Sequence, residues 1–375
     1  MSRPLPLVMR VVLLPGIWPP DIGGPATHGP ELAAHLVGAG HRVQVVTMAS
    51  ATPTERPCEI LTVPRSRPFP VRYSHLTALA TRTARAADVV YASATYAAAA
   101  AASVLSRRPL VVKLVSDPAY ERARRYGLFA GTLEEFQEPG SRAVAALERA
   151  RTLALRRARH VIVPSRYLAE IALGWGLDPE RVVVVPNPAP VLAVEEAPER
   201  RGLVFAGRIT RQKALDTALE AVARVPNVDL LVLGDGPDRE RLERHATELG
   251  LNGRVRFAGP VPRAEVLRAF AAAEALVLSS DWENFPHTAV EALALGTPLI
   301  ATAVGGVPEI VEDGVNGLLV PPGSADALAE AIGRFTASAE LRARLAAAAR
   351  PSVEHLSAPL VYGRIEELLH AAVAR

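Results

Sequence analysis

The sequence predicts an α/β protein made of two doubly wound parallel sheets. Two observations carry this expectation. Apolar runs of strand length alternate with helix-length segments through both halves, joined by short polar loops. That is the pattern of strands buried on both faces by crossover helices. Between the halves, Pro186, Pro188, Pro190 and Pro198 punctuate a stretch with little apolar pattern, where an interdomain linker is expected. The domains are therefore placed at residues 1–190 and 200–354.

In chain order, Val8 to Leu14 reads as the first buried strand, followed by the loop Trp18 to Gly24 and a helix from about His28 to Gly38. Gly40-His41 turns into a second strand, Val43 to Thr47. Ile60 to Val63, Val89 to Ala92, Leu110 to Val115, Val161 to Val163 and Val182 to Val185 read as further strands with helices between them. The dinucleotide fingerprint GxGxxG is missing from the first loop, which argues against a nicotinamide or flavin enzyme. Gly23 and Gly24 there would let backbone approach a ligand closely, or simply form a tight turn. Pro118 to Gly140 reads as a mobile helical insert, and helical periodicity resumes from Ala143 to Arg159. The uncharged stretch Val89 to Ser106 is rich in alanine, serine and threonine, so it reads as a strand and a packing helix rather than a membrane span.

Composition narrows the function classes. The chain has 375 residues, 49% hydrophobic and 22% charged, which excludes disorder and leaves room for two cores. One cysteine, Cys58, rules out a disulfide framework and any cysteine-based zinc site. Pro4, Pro6 and Arg10 interrupt the amino terminus before an apolar leader can build up, and a cytoplasmic location is expected. Residues 1–195 carry 23 Lys+Arg against 15 Asp+Glu, net +8, while residues 196–375 are net −5. The basic half would suit an anionic acceptor or peripheral contact with the inner membrane face. Its arginine clusters, Arg122 to Arg125 and Arg149 to Arg159, lack the interleaved aromatics of a nucleic-acid platform, so nucleic acid is not an expected partner. Only two lysines occur, Lys113 and Lys213.

The second half restarts with strand Leu203 to Ala206 and the loop Gly207 to Lys213, then helix Leu215 to Arg224. Strand Asp229 to Leu233 leads into Gly234-Asp235-Gly236-Pro237 and a helix from Asp238. Strand Val255 to Ala258, a loop with Pro260-Val261-Pro262 and helix Glu265 to Ala273 follow. Ala275 to Leu278 is a strand, Ser279 to Phe285 its loop, and a helix with Pro286 in the first helical position runs to Gly296 before the strand ending at Thr302. Ligands in such folds sit beyond the carboxyl ends of strands, and the N–H groups of His287 and Thr288 would face that crevice. Glu283 and Glu291 make sense together only across the loop-to-helix join, because on one continuous helix they would point about 80° apart. Arg208 and Lys213 on one strand-end loop suit a diphosphate, the arginine as a planar fork and the lysine as a point charge. Gly305-Gly306, a short helix Pro308 to Glu312, strand Leu318 to Val320 and helix Ala325 to Phe335 complete the alternation.

Together, Gly207-Arg208 with Lys213, Gly234-Asp235-Gly236-Pro237, Glu283-x7-Glu291 with Ala292, Gly296, Thr297 and Pro298, Gly305-Gly306-Val307-Pro308-Glu309 and Asn316-Gly317-Leu318 resemble the retaining glycosyltransferases of family 4. The similarity also takes in Gly23-Gly24, Gly40-His41 and Ser165 to Asn187, and it is densest from Leu203 to Gly323. It implies the GT-B fold, with two Rossmann-like domains facing a cleft and residues 355–375 packing back on the amino-terminal domain. It further implies that Arg208 and Lys213 clamp a donor diphosphate with the helix end at Pro286 and His287, that Glu291 takes the ribose hydroxyls, and that Glu283 meets the donor sugar. Asn284 and Phe285 would line the sugar pocket, Val261 would flank the base, Gly234 and Gly236 would belong to the donor site, and Gly23 and Gly24 would approach the donor phosphate.

On this resemblance the chain transfers a sugar with retention from a nucleoside diphosphate sugar, UDP- or GDP- for preference, to a small-molecule, saccharide or lipid-linked hydroxyl. No cofactor and no metal are expected. Asp281-x-Glu283 looks like a metal-binding pair, but hard cations want more oxygen ligands than are evident there. A nucleotide-sugar isomerase of the same fold, or a silent sugar-nucleotide binder, are the alternatives. The chain departs from the family at Ser116-Asp117-Pro118, where many relatives carry a histidine; Asp117 would replace it or only cap a turn, with Lys113 on the same strand face. His28 is a further candidate, set against a structural role. Ala214 stands where a glycine is usual, and Asn284-Phe285-Pro286-His287 replaces a glycine-richer segment.

Overall fold

Two parallel sheets form, and in each the strand order reverses about the strand that comes first in the chain. A computed structural model describes residues 8–21, 24–54, 56–138, 140–190 and 200–374. Residues 1–186 with 359–375 make one compact unit and residues 187–358 the other. The first unit contains β1 (Arg10–Leu14), β2 (Arg42–Ala49), β3 (Glu59–Pro64), β4 (Val89–Ala92), β5 (Leu110–Lys113), β6 (His160–Val163) and β7 (Val182–Val184), in the spatial order β3-β2-β1-β4-β5-β6-β7. The second contains β8 (Leu203–Ala206), β9 (Leu230–Leu233), β10 (Val255–Gly259), β11 (Ala275–Leu278), β12 (Leu299–Thr302) and β13 (Gly317–Val320), ordered β10-β9-β8-β11-β12-β13. Every pairing within the two sheets is parallel. Both units are thus Rossmann-like.

Burial follows from that topology. All four residues of β4, β5, β6, β8, β11 and β12 are buried, as expected of strands covered by helices on both faces. In the first unit, small side chains let helices pack closely: helix Tyr96–Ser106 buries Ala98, Ala99, Ala102 and Ser103, and helix Phe69–Arg85 buries Ala80 and Ala84. The uncharged stretch at Val89 to Ser106 is accordingly a core strand and a packing helix. Among the described residues no helix is long and apolar enough to cross a membrane.

The segment expected as a mobile insert is anchored instead. It holds helix Pro118–Arg125 and a short 3₁₀ turn, Glu135–Gln137. Tyr120, Phe129 and Phe136 meet edge to face with centroids 5.1–6.2 Å apart, and Leu133 and Phe136 are fully buried. Such aromatic clusters gain both buried area and favourable quadrupole geometry. At the other end of the chain, helix Ala358–Ala374 buries Val361, Tyr362, Ile365, Leu368, Leu369 and Ala372, and from residue 359 it belongs to the first unit. Tyr362 donates to Glu31 at 2.7 Å, and Glu366 accepts from His35 and His41 at 3.0 and 3.1 Å.

Candidate active site

In the second sheet the reversal lies between β8 and β11, which pair directly while their successors lie on opposite sides. Loops leaving such a pair diverge and leave a crevice at the strand ends. The loop after β8 carries Arg208 and Lys213; the loop after β11 carries Glu283. They are laced together: Asp281 N donates to Gln212 O at 2.9 Å, Gln212 Nε2 to Trp282 O at 2.9 Å, and Ser279 Oγ to Lys213 O at 3.0 Å. From the end of β12, Thr302 Oγ1 donates to Ser280 O at 2.6 Å.

This lacing brings the expected residues into contact. Lys213 Nζ donates to Glu283 Oε1, which also accepts from Ser280 Oγ at 2.7 Å. The Glu283 side chain is 8% exposed and that of Lys213 18%, so the pair is dry on the protein side and reachable from the other. Gly306 N holds the Glu283 carbonyl at 3.1 Å. Arg208 is exposed, and among the described residues nothing pairs with it. The two loops that leave β8 and β11 therefore carry two positive groups and one carboxylate, one cation tied and the other without a partner among the described residues. Ala214 explains the family's usual glycine: its backbone is left-handed, with φ 43° and ψ 45°, a conformation that costs a residue with a Cβ about 1–2 kcal/mol.

The helix after the β11 loop begins at His287, one residue later than expected. Pro286, with ψ 120°, is its cap rather than its first helical residue. Asn284 and Phe285 are buried, and Asn187 Nδ2 donates to Phe285 O at 3.1 Å. Glu291 lies inside helix His287–Ala294 and accepts from Arg263 Nη2 at 2.9 Å. Val261, partly buried, packs on the same core as Phe285. Gly234 and Gly236 have a steric reason: a Cβ would lie 1.9 Å from Gly207 O at the first and 2.1 Å from Ile209 O at the second. They allow the loop after β9 to press against the loop that carries Arg208, with Ile209 N donating to Asp235 O at 2.9 Å.

Ser280, Thr302 and Arg263 were not singled out by sequence reasoning. A serine or threonine at the end of an apolar run is the only signal the first two give, and it is a common one.

The remaining expected residues belong to the first unit. Asp117 is fully buried and caps helix Pro118–Arg125: Oδ1 accepts from Ala119 N and Tyr120 N at 2.8 and 3.3 Å, and Oδ2 from Arg151 Nη1 at 2.6 Å. Burial pushes its carboxyl above the ordinary value, against the pull of Arg151 and the two amides. Arg151 lies over the Trp175 ring at 3.8 Å. Lys113 is 1% exposed, and its Nζ donates to Pro186 O at 3.4 Å, so it and Asp117 face different partners. Burial lowers the Lys113 ammonium to about 7. His28 Nε2 lies 2.9 Å from Tyr91 Oη in the interior. Gly24 opens helix Gly24–Gly38; Gly23 lies outside the described residues.

Among the described residues one group has metal-ligand spacing: His41, Glu366 and His370 bring an atom each within 4.8 Å of one another. The tautomer argues against a metal there. Met9 N donates to His41 Nδ1 at 3.1 Å, so the neutral ring carries its proton on Nε2 and donates it to Glu366. Partial burial pushes the Glu366 carboxyl up, but the hydrogen bonds from His41 and His35 outweigh it and leave it below its ordinary value. The cluster fastens the last helix to the first unit. A groove of about 1020 Å³ on this unit, lined by Arg149, Arg151, Glu170 and Trp175 among others, carries charges of both signs.

Comparison with known proteins supplies the family. Residues 193–351 match the model described as glycosyl transferases group 1, and residues 23–188 match the glycosyl transferase 4-like domain. The lipopolysaccharide core biosynthesis glycosyltransferase LpsE of Rhizobium meliloti is 39% identical over 180 residues, covering 46% of this chain and 52% of LpsE. The D-inositol 3-phosphate glycosyltransferase of Mycobacterium marinum is 43% identical over 141 residues, 36% of this chain and 30% of that one. The matches thus span about half the length of the first relative and under a third of the second. Among solved structures, Anabaena Alr3699/HepE in complex with UDP superposes with a TM-score of 0.77 at 23% identity, over 97% of this chain and 100% of that one. Sucrose-phosphate synthase from Thermosynechococcus elongatus does so with a TM-score of 0.81 at 22% identity, over 98% and 99%. At those identities the likeness establishes the fold, which is that of the GT-B glycosyltransferases.

Proposed function

We propose that this chain, which belongs to the group 1 glycosyltransferases, transfers a sugar with retention from a nucleoside diphosphate sugar to an acceptor hydroxyl, without a metal. The observation that carries the reading is the Lys213–Glu283 pair, with exposed Arg208 on the same loop as Lys213, at the reversal point of the second sheet. In the step proposed, the bond from the anomeric carbon to the diphosphate breaks and the bond to the acceptor oxygen forms on the same face. The acceptor proton goes to a departing phosphate oxygen, and the nucleoside diphosphate leaves. Charge then grows on the diphosphate, where preorganised cations stabilise it more than they stabilise the ground state.

An ammonium has three donors, so Lys213 can keep Glu283 and Ser280 in register while giving another N–H to a phosphate oxygen. Arg208 supplies a fork to the same group. The start of helix His287–Ala294 adds its backbone N–H groups and dipole. Glu283 is assigned to the donor sugar, Glu291 to the ribose and Val261 to the base. The UDP named in the Anabaena complex supports UDP as the first donor base to try. A place at the cytoplasmic face of a membrane, through the basic first half, belongs to the same reading.

The test is a panel of UDP-, GDP-, ADP- and dTDP-sugars. A cognate donor at saturating concentration is expected to stabilise the fold by a few kcal/mol, and added acceptor to release nucleoside diphosphate in the presence of a chelator. Nuclear magnetic resonance of the product's anomeric carbon reports retention. Donor conversion without acceptor would make the chain an isomerase. Stabilisation without any turnover would make it a silent binder, and no stabilisation by any member of the panel would overturn the reading.

A further inference from the structure

We infer that Arg263 is a positioning residue for the nucleoside half of the donor, acting through Glu291 and selecting ribonucleotides with an intact 2′,3′-diol. This rests on the assignment of Glu291 to the ribose. Arg263 opens helix Arg263–Ala272, directly after the Pro260-Val261-Pro262 turn that follows β10. Glu291 lies on the neighbouring helix His287–Ala294. Arg263 Nη2 donates to Glu291 Oε1 at 2.9 Å, with side-chain exposures of 42% and 12%. The carboxylate is thus mostly enclosed, and the guanidinium reaches it from the solvent side.

Two consequences follow from that geometry. A carboxylate on a helix face rotates about its last side-chain bond, and a charge-assisted bond from a second helix fixes that rotation. An oriented carboxylate can then accept both hydroxyls of a ribose, whereas a rotating one loses part of the gain to ordering. The second consequence is electrostatic. Glu283 is already paired with Lys213, so pairing Glu291 with Arg263 leaves neither glutamate as an uncompensated negative charge facing an incoming diphosphate. The arginine therefore both aims the ribose acceptor and removes its repulsion.

Calorimetric titration with UDP and 2′-deoxy-UDP tests this, with GDP and 2′-deoxy-GDP alongside, on wild type, Glu291→Ala, Arg263→Ala and Arg263→Lys. Wild type is expected to prefer the ribonucleotide by about tenfold, the value of one hydrogen bond to a charged group. Glu291→Ala should erase the preference, and Arg263→Ala should cut it to about threefold or less. Arg263→Lys should recover part of it, since it restores charge but not the planar fork. The thermal midpoint of Arg263→Ala should stay close to wild type, because a half-exposed ion pair contributes little to stability, and its transfer kinetics should show a raised donor KM with kcat within about twofold.

Arg263→Ala with its ribonucleotide preference intact, or with kcat lowered at unchanged KM, overturns the inference alone. An intact preference in Glu291→Ala overturns the ribose assignment and the inference with it. Binding of neither nucleotide overturns both together with the proposed function.

Discussion

Each sheet carries a buried carboxylate–cation pair beyond its strand ends, and the two pairs behave differently. In the first unit Asp117 spends Oδ1 on two amides and Oδ2 on Arg151, which is itself roofed by Trp175. In the second unit Glu283 meets a lysine that is partly exposed and shares its loop with Arg208, which is exposed and has no partner among the described residues. The first pair is closed: its carboxylate is fully taken, by a helix start and by Arg151; the guanidinium keeps a buried Nε without a partner among the described residues, but only about 5% of its side chain is exposed. The second is open, because an ammonium can take a further acceptor without releasing the one it holds. Burial alone therefore does not mark a site; what distinguishes one pair from the other is whether a cation has capacity left and a face to offer it.

The largest expected effect tests the open pair. Arg208→Ala and Glu283→Gln are each expected to lower kcat by about 10²–10³-fold, and Arg208→Ala should leave the urea midpoint unchanged. Wild-type turnover in both would move the chemistry elsewhere. The closed pair should respond in stability: Arg151→Ala leaves the buried Asp117 carboxylate uncompensated and should cost about 3–5 kcal/mol in urea denaturation. Replacing both partners, Asp117→Asn with Arg151→Met, should recover most of that. Equal losses in single and double variants would mean that the pair is not a unit.

In the same unit, Lys113 offers a sharper measure of burial. Its ammonium is lowered to about 7 in the fold, so the unfolded chain holds the proton more tightly. Its penalty is absent above about pH 10.5, grows as pH falls to about 7, and is constant below. Lys113→Met should raise the thermal midpoint at pH 7 by several degrees and flatten the wild-type rise in stability between pH 7 and 10; a lower midpoint would show that the ammonium is better paired than its bond to Pro186 implies. The smallest effect belongs to the open side. Ala214→Gly relieves a left-handed alanine and should stabilise by about 0.5–1 kcal/mol, read by the same denaturation; no gain would mean that the backbone is unstrained there.

The alternation of apolar runs was enough to read both sheets and most strands, because parallel strands buried on both faces have nothing polar to confuse the pattern. Glu283, Lys213 and Arg208 were legible as types on strand-end loops. Their contact was not, since it depends on β8 and β11 becoming neighbours across 72 residues of chain. Thr302 and Arg263 were silent for the same reason, each mattering through a partner on another loop or helix, and Ser280 because a serine three residues before a glutamate in a loop is a common pattern. Helix Ala339–Ser352 was missed because its alanine run, with only Leu345 and Ala349 buried, carries little periodic contrast. The Pro118 to Gly140 segment read as mobile because its anchors are three aromatic rings scattered over 17 residues, a spacing with no helical or strand period.

The return of helix Ala358–Ala374 to the first unit has a consequence for synthesis. As the chain leaves the ribosome, the first unit emerges early but lacks the helix that supplies Tyr362, Ile365, Leu368 and Leu369 to its interior. The second unit, continuous from 187 to 358, is complete before that helix exists. At about 5–20 residues per second, the half made first waits on the order of 10–40 s for that helix, with the surface under it exposed to any holdase that binds apolar patches. Birth order and completion order are thus reversed in this protein.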